Sequence, residues 1–219
     1  MTSKLTIKAF TLAEVLITLG IIGIVAAMTI PSLINSAQNQ EYLSRFKENY
    51  STFSQATAQI NNDCGGSVTN CLATANAAND DAQTRLDFLN LYKAKLSVAK
   101  DCTNGTTKGC FVNANYKLLN GGDSGMNFES GYWFGDARIQ LTNGASVGAR
   151  WITNDPGIVI DVNGPKGPNQ WGKDLFYFAF DPVAKIFHPD FGDNDCNAGS
   201  NNGVGCSGKI VKENAINYN

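Results

Sequence analysis

Near its start, the chain carries an apolar run long enough to cross a membrane. From Val15 to Ile30 no residue is charged. The 21 residues from Phe10 to Ile30 match the ~20 that a helix needs to cross a hydrocarbon core. Upstream, residues 1–9 carry Lys4 and Lys8 and no acid. Because basic residues favour the cytoplasmic side, we expect this end inside and the rest of the chain outside the cytoplasm.

The apolar pattern does not stop at Ile30. Further apolar residues keep a spacing of three or four along one helical face, with charged and polar residues mostly on the other faces. They are Leu33, Ile34, Ala37, Tyr42, Leu43, Phe46, Tyr50, Phe53, Thr57 and Ile60. We predict one helix over residues 10–60, membrane-embedded to about residue 30 and roughly 75 Å long. A removable secretory signal, which Val25-Ala26-Ala27 partly matches, would not need this continuation.

Glu14 is the one charged residue inside the predicted span. A carboxylate in a membrane helix costs about 2.5–3.5 kcal/mol near the centre, less toward the edge, and usually marks function. The alternative is a plain membrane anchor with Glu14 in the headgroup region. A cut before Phe10 would create an amine four residues upstream. The amine of one subunit could then pair with Glu14 of a neighbour and neutralise both charges.

Residues 8–15, Lys-Ala-Phe-Thr-Leu-Ala-Glu-Val, resemble the cleavage and methylation motif of type IV prepilins and type II secretion pseudopilins. In that family a membrane peptidase cuts ahead of the Phe and methylates its amine, and the fifth mature residue is Glu. The resemblance implies a leader over residues 1–9, cleavage between Ala9 and Phe10, N-methylation of Phe10 and an assembly role for Glu14. Ala9 departs from the family's usual Gly.

Pro31 is the twenty-second residue counted from Phe10, where the family often has a proline that bends or loosens the helix. Proline also weakens a helix for a physical reason, because it cannot donate to the carbonyl of Ala27 and its ring crowds that turn. We therefore assign Pro31 to assembly, as part of a stretch that unwinds when subunits pack. The alternative is a membrane-helix kink tolerated through local adjustment.

The resemblance implies a structural subunit with no enzymatic activity, in a type IV pilus or type II secretion filament. Its partners would be prepilin peptidase and other pilin or pseudopilin subunits. The subunit would first lie single-pass in the inner membrane, with its head outside the cytoplasm, and then join a periplasmic or extracellular filament. The second alternative is a membrane-anchored extracytoplasmic adhesin or binding module. The third is a membrane-anchored hydrolase. A net charge of −2 offers no basic field for nucleic acid.

Six cysteines fall into three close pairs, none with the C-x-x-C spacing of zinc or thioredoxin-like sites. Only one histidine, His188, could complete a metal set. Three local disulfides in an oxidising compartment are therefore favoured over six reduced, buried thiols. Sequence leaves fifteen connectivities open. We choose nearest neighbours, because short loops close most easily: Cys64–Cys71, Cys102–Cys110 and Cys196–Cys206.

The remaining residues, 61–219, are predicted to form a globular pilin-like head. We expect a second helix from about Asp80 to Lys100, then an antiparallel sheet with a two-residue hairpin turn at Asn143-Gly144. The expected strands are Arg138–Thr142, Ala145–Ile152, Ile158–Val162, Leu175–Phe180 and Lys185–His188. The predicted fold is α+β, because the amphipathic half of the long helix can cover the apolar face of this small sheet.

Two further motifs bear on chemistry. Asp161, Asn163, Asn169 and Asp174 lie in one loop and could supply oxygens to Ca²⁺, as a loop of this region does in major pseudopilins. The alternative is ordinary turn chemistry, in which Asp and Asn bond the backbone. Residues 144–148 formally match G-x-S-x-G, but the motif opens a strand instead of the strand–turn–helix that a nucleophile elbow needs.

Overall fold

The computed structural model of this protein describes residues 11–72, 82–151, 156–190, 196 and 202–218. The described residues form an α+β structure with a long N-terminal helix and a six-stranded antiparallel sheet, as the sequence predicts. They divide into an N-terminal unit, Met1–Asn39, and a larger unit, Gln40–Asn219, called here the head unit.

The long helix, α1, spans Leu12–Asp63, 52 residues with Pro31 inside. The predicted helix of residues 10–60 is therefore confirmed over its described part. Within the N-terminal unit the large apolar side chains of α1 are exposed, from 42% for Val15 to 78% for Leu12. By length and composition this stretch is able to cross a membrane.

In the head unit, the remaining turns of α1 bury one face against the sheet. Buried positions recur every three or four residues: Tyr42, Phe46, Asn49, Phe53, Ala56, Thr57 and Ile60. The ring centroid of Phe46 lies 4.9 Å from that of Phe176 and 5.2 Å from that of Phe178, both on the sheet. The predicted packing of the amphipathic half of the helix on the sheet is therefore confirmed.

The six strands pair in chain order, each antiparallel to the next. They are β1 Val98–Asp101, β2 Arg138–Leu141, β3 Ser146–Arg150, β4 Gly157–Asp161, β5 Leu175–Asp181 and β6 Ile186–Pro189. Strands β2 to β6 correspond to the five predicted strands, with ends that differ by one or two residues. Alternating, β-rich segments separated by turn residues are a strong local signal, which explains this agreement.

The connection between β2 and β3 is longer than predicted. The N–H of Leu141 donates to the carbonyl of Ala145, which leaves Thr142-Asn143-Gly144 as a three-residue loop. Gly144 has φ of +91°, and its N–H donates to the carbonyl of Leu141 at 3.0 Å. A type I turn followed by a left-handed residue is the usual three-residue hairpin. The predicted two-residue turn is therefore wrong.

The second helix is shorter than predicted. Helix α2 spans Ala82–Lys93, and Asp80 lies outside the described residues. Residues 98–100, expected to be helical, belong instead to strand β1, which pairs with β2. Lys93 and Asp101 then form a 2.6 Å ion pair across the connection. Hydrogen bonding to a strand about 40 residues away outweighs the local helical pattern, as tertiary context often does.

The three predicted disulfides are all present. Their Cα–Cα distances are 5.4 Å for Cys64–Cys71, 6.4 Å for Cys102–Cys110 and 4.9 Å for Cys196–Cys206. The last bond ties the segment after β6 to helix α3, Cys206–Glu213. Because each disulfide closes a short local loop, it fixes a connection outside the sheet rather than the sheet itself.

Candidate functional site

Two regions hold the predicted functional residues, the first turns of α1 and the loop between β4 and β5. Ala9 and Phe10 lie outside the described residues, so cleavage between them and methylation of Phe10 stay predictions. Pro31 lies within α1, which continues on both sides of it. More than three turns earlier, the hydroxyl of Thr18 donates to the carbonyl of Val15 at 3.0 Å, as threonine within a helix commonly does.

Glu14 forms a reciprocal cap with Thr11 at the start of α1. The backbone N–H and the hydroxyl of Thr11 each donate to Oε2 of Glu14 at 2.8 Å. In return, the N–H of Glu14 donates to the hydroxyl of Thr11 at 3.2 Å. This is the Thr-x-x-Glu capping box, which satisfies helix N–H groups that have no partner within the helix. Glu14 therefore has a local structural role as well as the predicted assembly role.

Along the N-terminal unit, the exposed surface of α1 is predominantly apolar. Thirteen large apolar side chains of the N-terminal unit are at least 42% exposed. They are Leu12, Val15, Leu16, Ile17, Leu19, Ile21, Ile22, Ile24, Val25, Met28, Ile30, Leu33 and Ile34. A surface of this size marks contact with lipid or with other protein surfaces.

The second region is the loop of residues 162–174, here called the β4–β5 loop. Asp161 ends β4, and Asp174 precedes β5. The N–H of Val162 donates to the carbonyl of Asp174 at 2.8 Å, so the two ends of the loop lie side by side. Both aspartates are fully buried. The loop thus brings two of the four predicted cation ligands to one buried place.

The two aspartates are held by neutral donors. The hydroxyl of Tyr116 donates to Oδ2 of Asp161 at 2.6 Å. The N–H groups of Asn169 and Gln170 donate to the two carboxylate oxygens of Asp174 at 2.8 and 2.7 Å. In the part of the chain that the structure describes, no Lys, Arg or His forms an ion pair with either aspartate. The two buried acids thus lie together with no counter-charge from the described residues.

This arrangement disfavours ionisation. Burial, followed by the charge of Asp174, raises the pKa of Asp161 well above its ordinary value. Burial likewise raises the pKa of Asp174 to about 6, although its backbone hydrogen bonds act in the opposite direction. Buried carboxylates with raised pKa values need either a proton or a cation to compensate them.

The other two predicted ligands supply oxygens without partners. Oδ1 of Asn163 and Oδ1 of Asn169 are buried and accept no hydrogen bond from the described residues. The Nδ2 group of Asn163 is used, because it donates to the carbonyl of Gly167 at 3.0 Å. A buried acceptor without a partner costs about 1–3 kcal/mol. The two orphaned amide oxygens therefore point to a missing partner rather than to turn chemistry alone.

The donor set suits a hard divalent cation. Two carboxylates and two amide oxygens match the all-oxygen coordination of Ca²⁺, with backbone carbonyls able to fill further positions. Among the described residues, no three His, Cys, Asp or Glu side chains form a group that could hold a metal ion. The fit therefore depends on the amide oxygens of Asn163 and Asn169, and the absence of thiolate and imidazole disfavours zinc.

The loop packs closely on the β2–β3 hairpin. Gly164 has φ of +69°, and a Cβ at this position would lie 2.3 Å from the carbonyl oxygen of Gly144. Only glycine meets both requirements. The loop is also joined to residues 116–118, because the N–H of Lys117 donates to the carbonyl of Asn169 at 2.8 Å. Its shape is therefore set by contacts distant in sequence.

Sequence reasoning missed two tyrosines at this site. Tyr116 bonds Asp161 directly, and the hydroxyl of Tyr42 on α1 donates to the carbonyl of Gly167 at 3.4 Å. Burial, then the charges of Asp174, Glu41 and Asp161, raises the pKa of Tyr42, which places its hydroxyl near the acidic pair. No local pattern identifies either residue. The Thr11–Glu14 cap was also missed, although its Thr-x-x-Glu pattern is a local signal that could have identified it.

The G-x-S-x-G match has a structural explanation. Ser146 lies in β3, and its hydroxyl donates to the carbonyl of Cys110. His188 lies in β6, and its Nδ1 lies 2.9 Å from the carbonyl oxygen of Pro189. Strands β4 and β5 separate the two residues. At about 4.8 Å per strand this excludes a direct contact between serine and histidine.

Comparison with family models, with curated proteins and with solved structures finds no match for this chain.

Proposed function

We propose that this protein is a structural subunit of a type IV pilus or type II secretion filament. It would be held in the inner membrane by the apolar part of α1, processed by prepilin peptidase between Ala9 and Phe10, and assembled with other such subunits. The observation that carries the proposal is the exposed apolar surface of α1 directly after Glu14. A head with three disulfides supports a location outside the cytoplasm.

The exposed surface is large enough to drive assembly or membrane insertion. Each large apolar side chain gains about 1.5–3 kcal/mol when it leaves water. Thirteen such side chains, 42–78% exposed, therefore represent on the order of 12–24 kcal/mol, which matches or exceeds the whole net stability of a folded domain. Lipid covers this surface before assembly, and neighbouring helices cover it in a filament.

Glu14 provides the sharpest test, because its cap and its charge can be separated. Glu14→Gln keeps a side-chain oxygen for the Thr11 cap, since Gln also serves in a capping box, but removes the charge. Glu14→Ala removes both. If charge pairing with a neighbour's amine directs assembly, both variants should lose incorporation into filaments isolated from the native host.

The cap explanation makes a different prediction for the same pair. If Glu14 serves only the helix start, Glu14→Gln should assemble like the unmodified protein and Glu14→Ala should be impaired. Mass spectrometry of the same material tests processing, and we expect a mature chain that begins with methylated Phe10. An intact Met1 terminus would instead favour the membrane-anchored adhesin or binding module.

We also propose that the β4–β5 loop binds a divalent cation of the Ca²⁺ type. Asp161, Asn163, Asn169 and Asp174 would hold it, and the orphaned amide oxygens carry this proposal. A cation bound only by the folded state stabilises it by about 2.7 kcal/mol at a hundredfold excess over the dissociation constant. For a head unit of this size that corresponds to a midpoint rise of about 5–11 °C.

Thermal unfolding of the detergent-solubilised protein, first in EDTA and then in millimolar calcium, measures this rise. The double variant Asp161→Asn/Asp174→Asn is the matched control, since it keeps the shape of the side chains and removes both charges. We expect it to lose the calcium response. An unmodified protein whose midpoint does not move would leave the loop as turn chemistry.

A further inference from the structure

Tyr42 connects α1 to the β4–β5 loop. It is the first buried residue of α1, since the described residues before it in the helix are not buried. Its hydroxyl donates to the carbonyl of Gly167 at 3.4 Å. The same carbonyl accepts the Nδ2 group of Asn163 at 3.0 Å. One carbonyl oxygen in the loop is therefore shared by the helix and by a proposed cation ligand.

Asn163 is the link between that carbonyl and the acidic pair. Its Oδ1 is the buried oxygen without a partner, and its backbone N–H donates to Oδ1 of Asp161 at 3.3 Å. Because the side-chain amide is planar, whatever holds Oδ1 also sets the direction in which Nδ2 points. A ligand on Oδ1 thus constrains the donor that binds Gly167.

We propose that cation binding in the β4–β5 loop tightens the hold of the head unit on α1 at Tyr42. This inference rests on the proposed cation site. With the cation bound, Asn163 is fixed, the carbonyl of Gly167 keeps its direction, and Tyr42 retains its acceptor. Without it, Oδ1 of Asn163 has no partner among the described residues, and the carbonyl that Tyr42 uses depends on the Nδ2 group of Asn163 alone.

The consequence is confined to one turn of the helix. Contacts continue directly along α1: Leu43 packs against the core, Nη1 of Arg45 donates to the carbonyl of Asn143 at 3.3 Å, and Phe46 is buried. Loss of the Tyr42 hydrogen bond therefore loosens the first head-unit turn of α1 without releasing the rest. This turn follows the apolar segment in sequence, so the cation would regulate how firmly the assembling helix is held.

Hydrogen exchange of the full-length protein in detergent micelles tests the coupling. Calcium should slow exchange of the amides of residues 40–47 by about 3- to 10-fold relative to EDTA, the factor for one net hydrogen bond. Tyr42→Phe removes only the hydroxyl and should abolish this protection. Residues 161–175, which are the β4–β5 loop and one residue on each side, should still respond to calcium. Tyr50→Phe, two turns further along α1, is the matched control and should behave like the unmodified protein.

A second variant acts from the loop side. Asn163→Asp keeps an oxygen for the cation but cannot donate to the carbonyl of Gly167. At a calcium concentration that saturates its own loop, judged by the protection of residues 161–175, it should give no protection of residues 40–47. Linkage is reciprocal, so each site affects the other equally. Tyr42→Phe should therefore weaken calcium binding by the same factor by which calcium strengthens the Tyr42–Gly167 hydrogen bond.

The outcomes separate the two proposals. If calcium protects the loop but leaves residues 40–47 unchanged, or if Tyr42→Phe keeps their protection, the coupling is overturned and the cation site stands. If neither region responds to calcium in the unmodified protein, the cation site itself fails. Filament incorporation is independent of both readouts, so the proposed subunit function is judged separately by the Glu14 variants.

Discussion

Acidification from pH 7 to pH 5 should stabilise the cation-free protein, although acid usually destabilises folded proteins. Burial raises the pKa of Asp174 from 3.8 to about 6 and, with the charge of Asp174, raises that of Asp161. The folded protein therefore binds these protons more tightly than the unfolded chain does. This contribution to stability is fully present below the unfolded-state pKa of 3.8 and is lost as the pH rises through the folded-state pKa of about 6.

The magnitude follows from the shift of Asp174. A displacement of about two pKa units corresponds to roughly 3 kcal/mol over the whole window between pH 4 and pH 7. From pH 7 to pH 5 the gain from Asp174 alone is about 1.3 kcal/mol, and Asp161 adds in the same direction. The exposed carboxylates of Asp101, Asp123 and Asp181 have lowered pKa values. Their contribution is lost only below about pH 4, outside this window.

Urea unfolding of the full-length protein in EDTA at pH 7, 6 and 5 measures the effect. Asp174→Asn, which cannot ionise, should show a flatter pH dependence than the unmodified protein. Its stability should be lower at every pH, because the amide offers only one acceptor to the N–H groups of Asn169 and Gln170. With saturating calcium the sign should reverse, because protons then compete with the cation for the same oxygens. A cation-free protein that loses stability between pH 7 and pH 5 would refute the argument.

Three further predictions concern the head unit, each measured as the free energy of unfolding. Gly148→Ala should cost about 1–3 kcal/mol, because a Cβ would lie 2.3 Å from the ring of Phe134. Phe46→Ala should cost about 3–5 kcal/mol through the cavity left between α1 and the sheet, whereas Ser51→Ala on the exposed face should cost less than about 0.5 kcal/mol. Replacing Cys102 and Cys110 by Ser should cost about 2–3 kcal/mol; an unchanged stability would contradict the predicted constraint on the unfolded chain.

The parts of the structure that sequence predicted are those controlled by neighbouring residues. The periodicity from Leu33 to Ile60 depends on residues three and four apart, so it identified both α1 and its buried face. The cysteine pairs depend on loops of 7 to 10 residues, and short loops are the easiest to close. Strands β2 to β6 were found because alternation and turn residues are also local signals.

Two predictions were wrong, the C-terminal end of the second helix and the length of the β2–β3 turn. In both places, contacts with residues distant in sequence compete with the local preference. Residues 98–100 continue a helical pattern, yet they belong to β1 because β2 offers backbone partners. The β2–β3 turn was predicted as two residues, although its length is set by the register of Gln140 opposite Ser146. In both cases backbone pairing across the sheet determined the outcome, and a single segment of sequence does not contain that information.

By itself the sequence determined that the chain has an uncharged span, a carboxylate four residues after Phe10, three cysteine pairs and an oxygen-rich loop. Only the tertiary structure decided that Asp161 and Asp174 are buried side by side, that two amide oxygens lack partners, and that Tyr42 shares an acceptor with the loop. The reason is physical. Composition sets which groups are available, but burial and mutual distance set the free energy needed to ionise them. Burial and distance in turn depend on contacts between residues far apart in the chain.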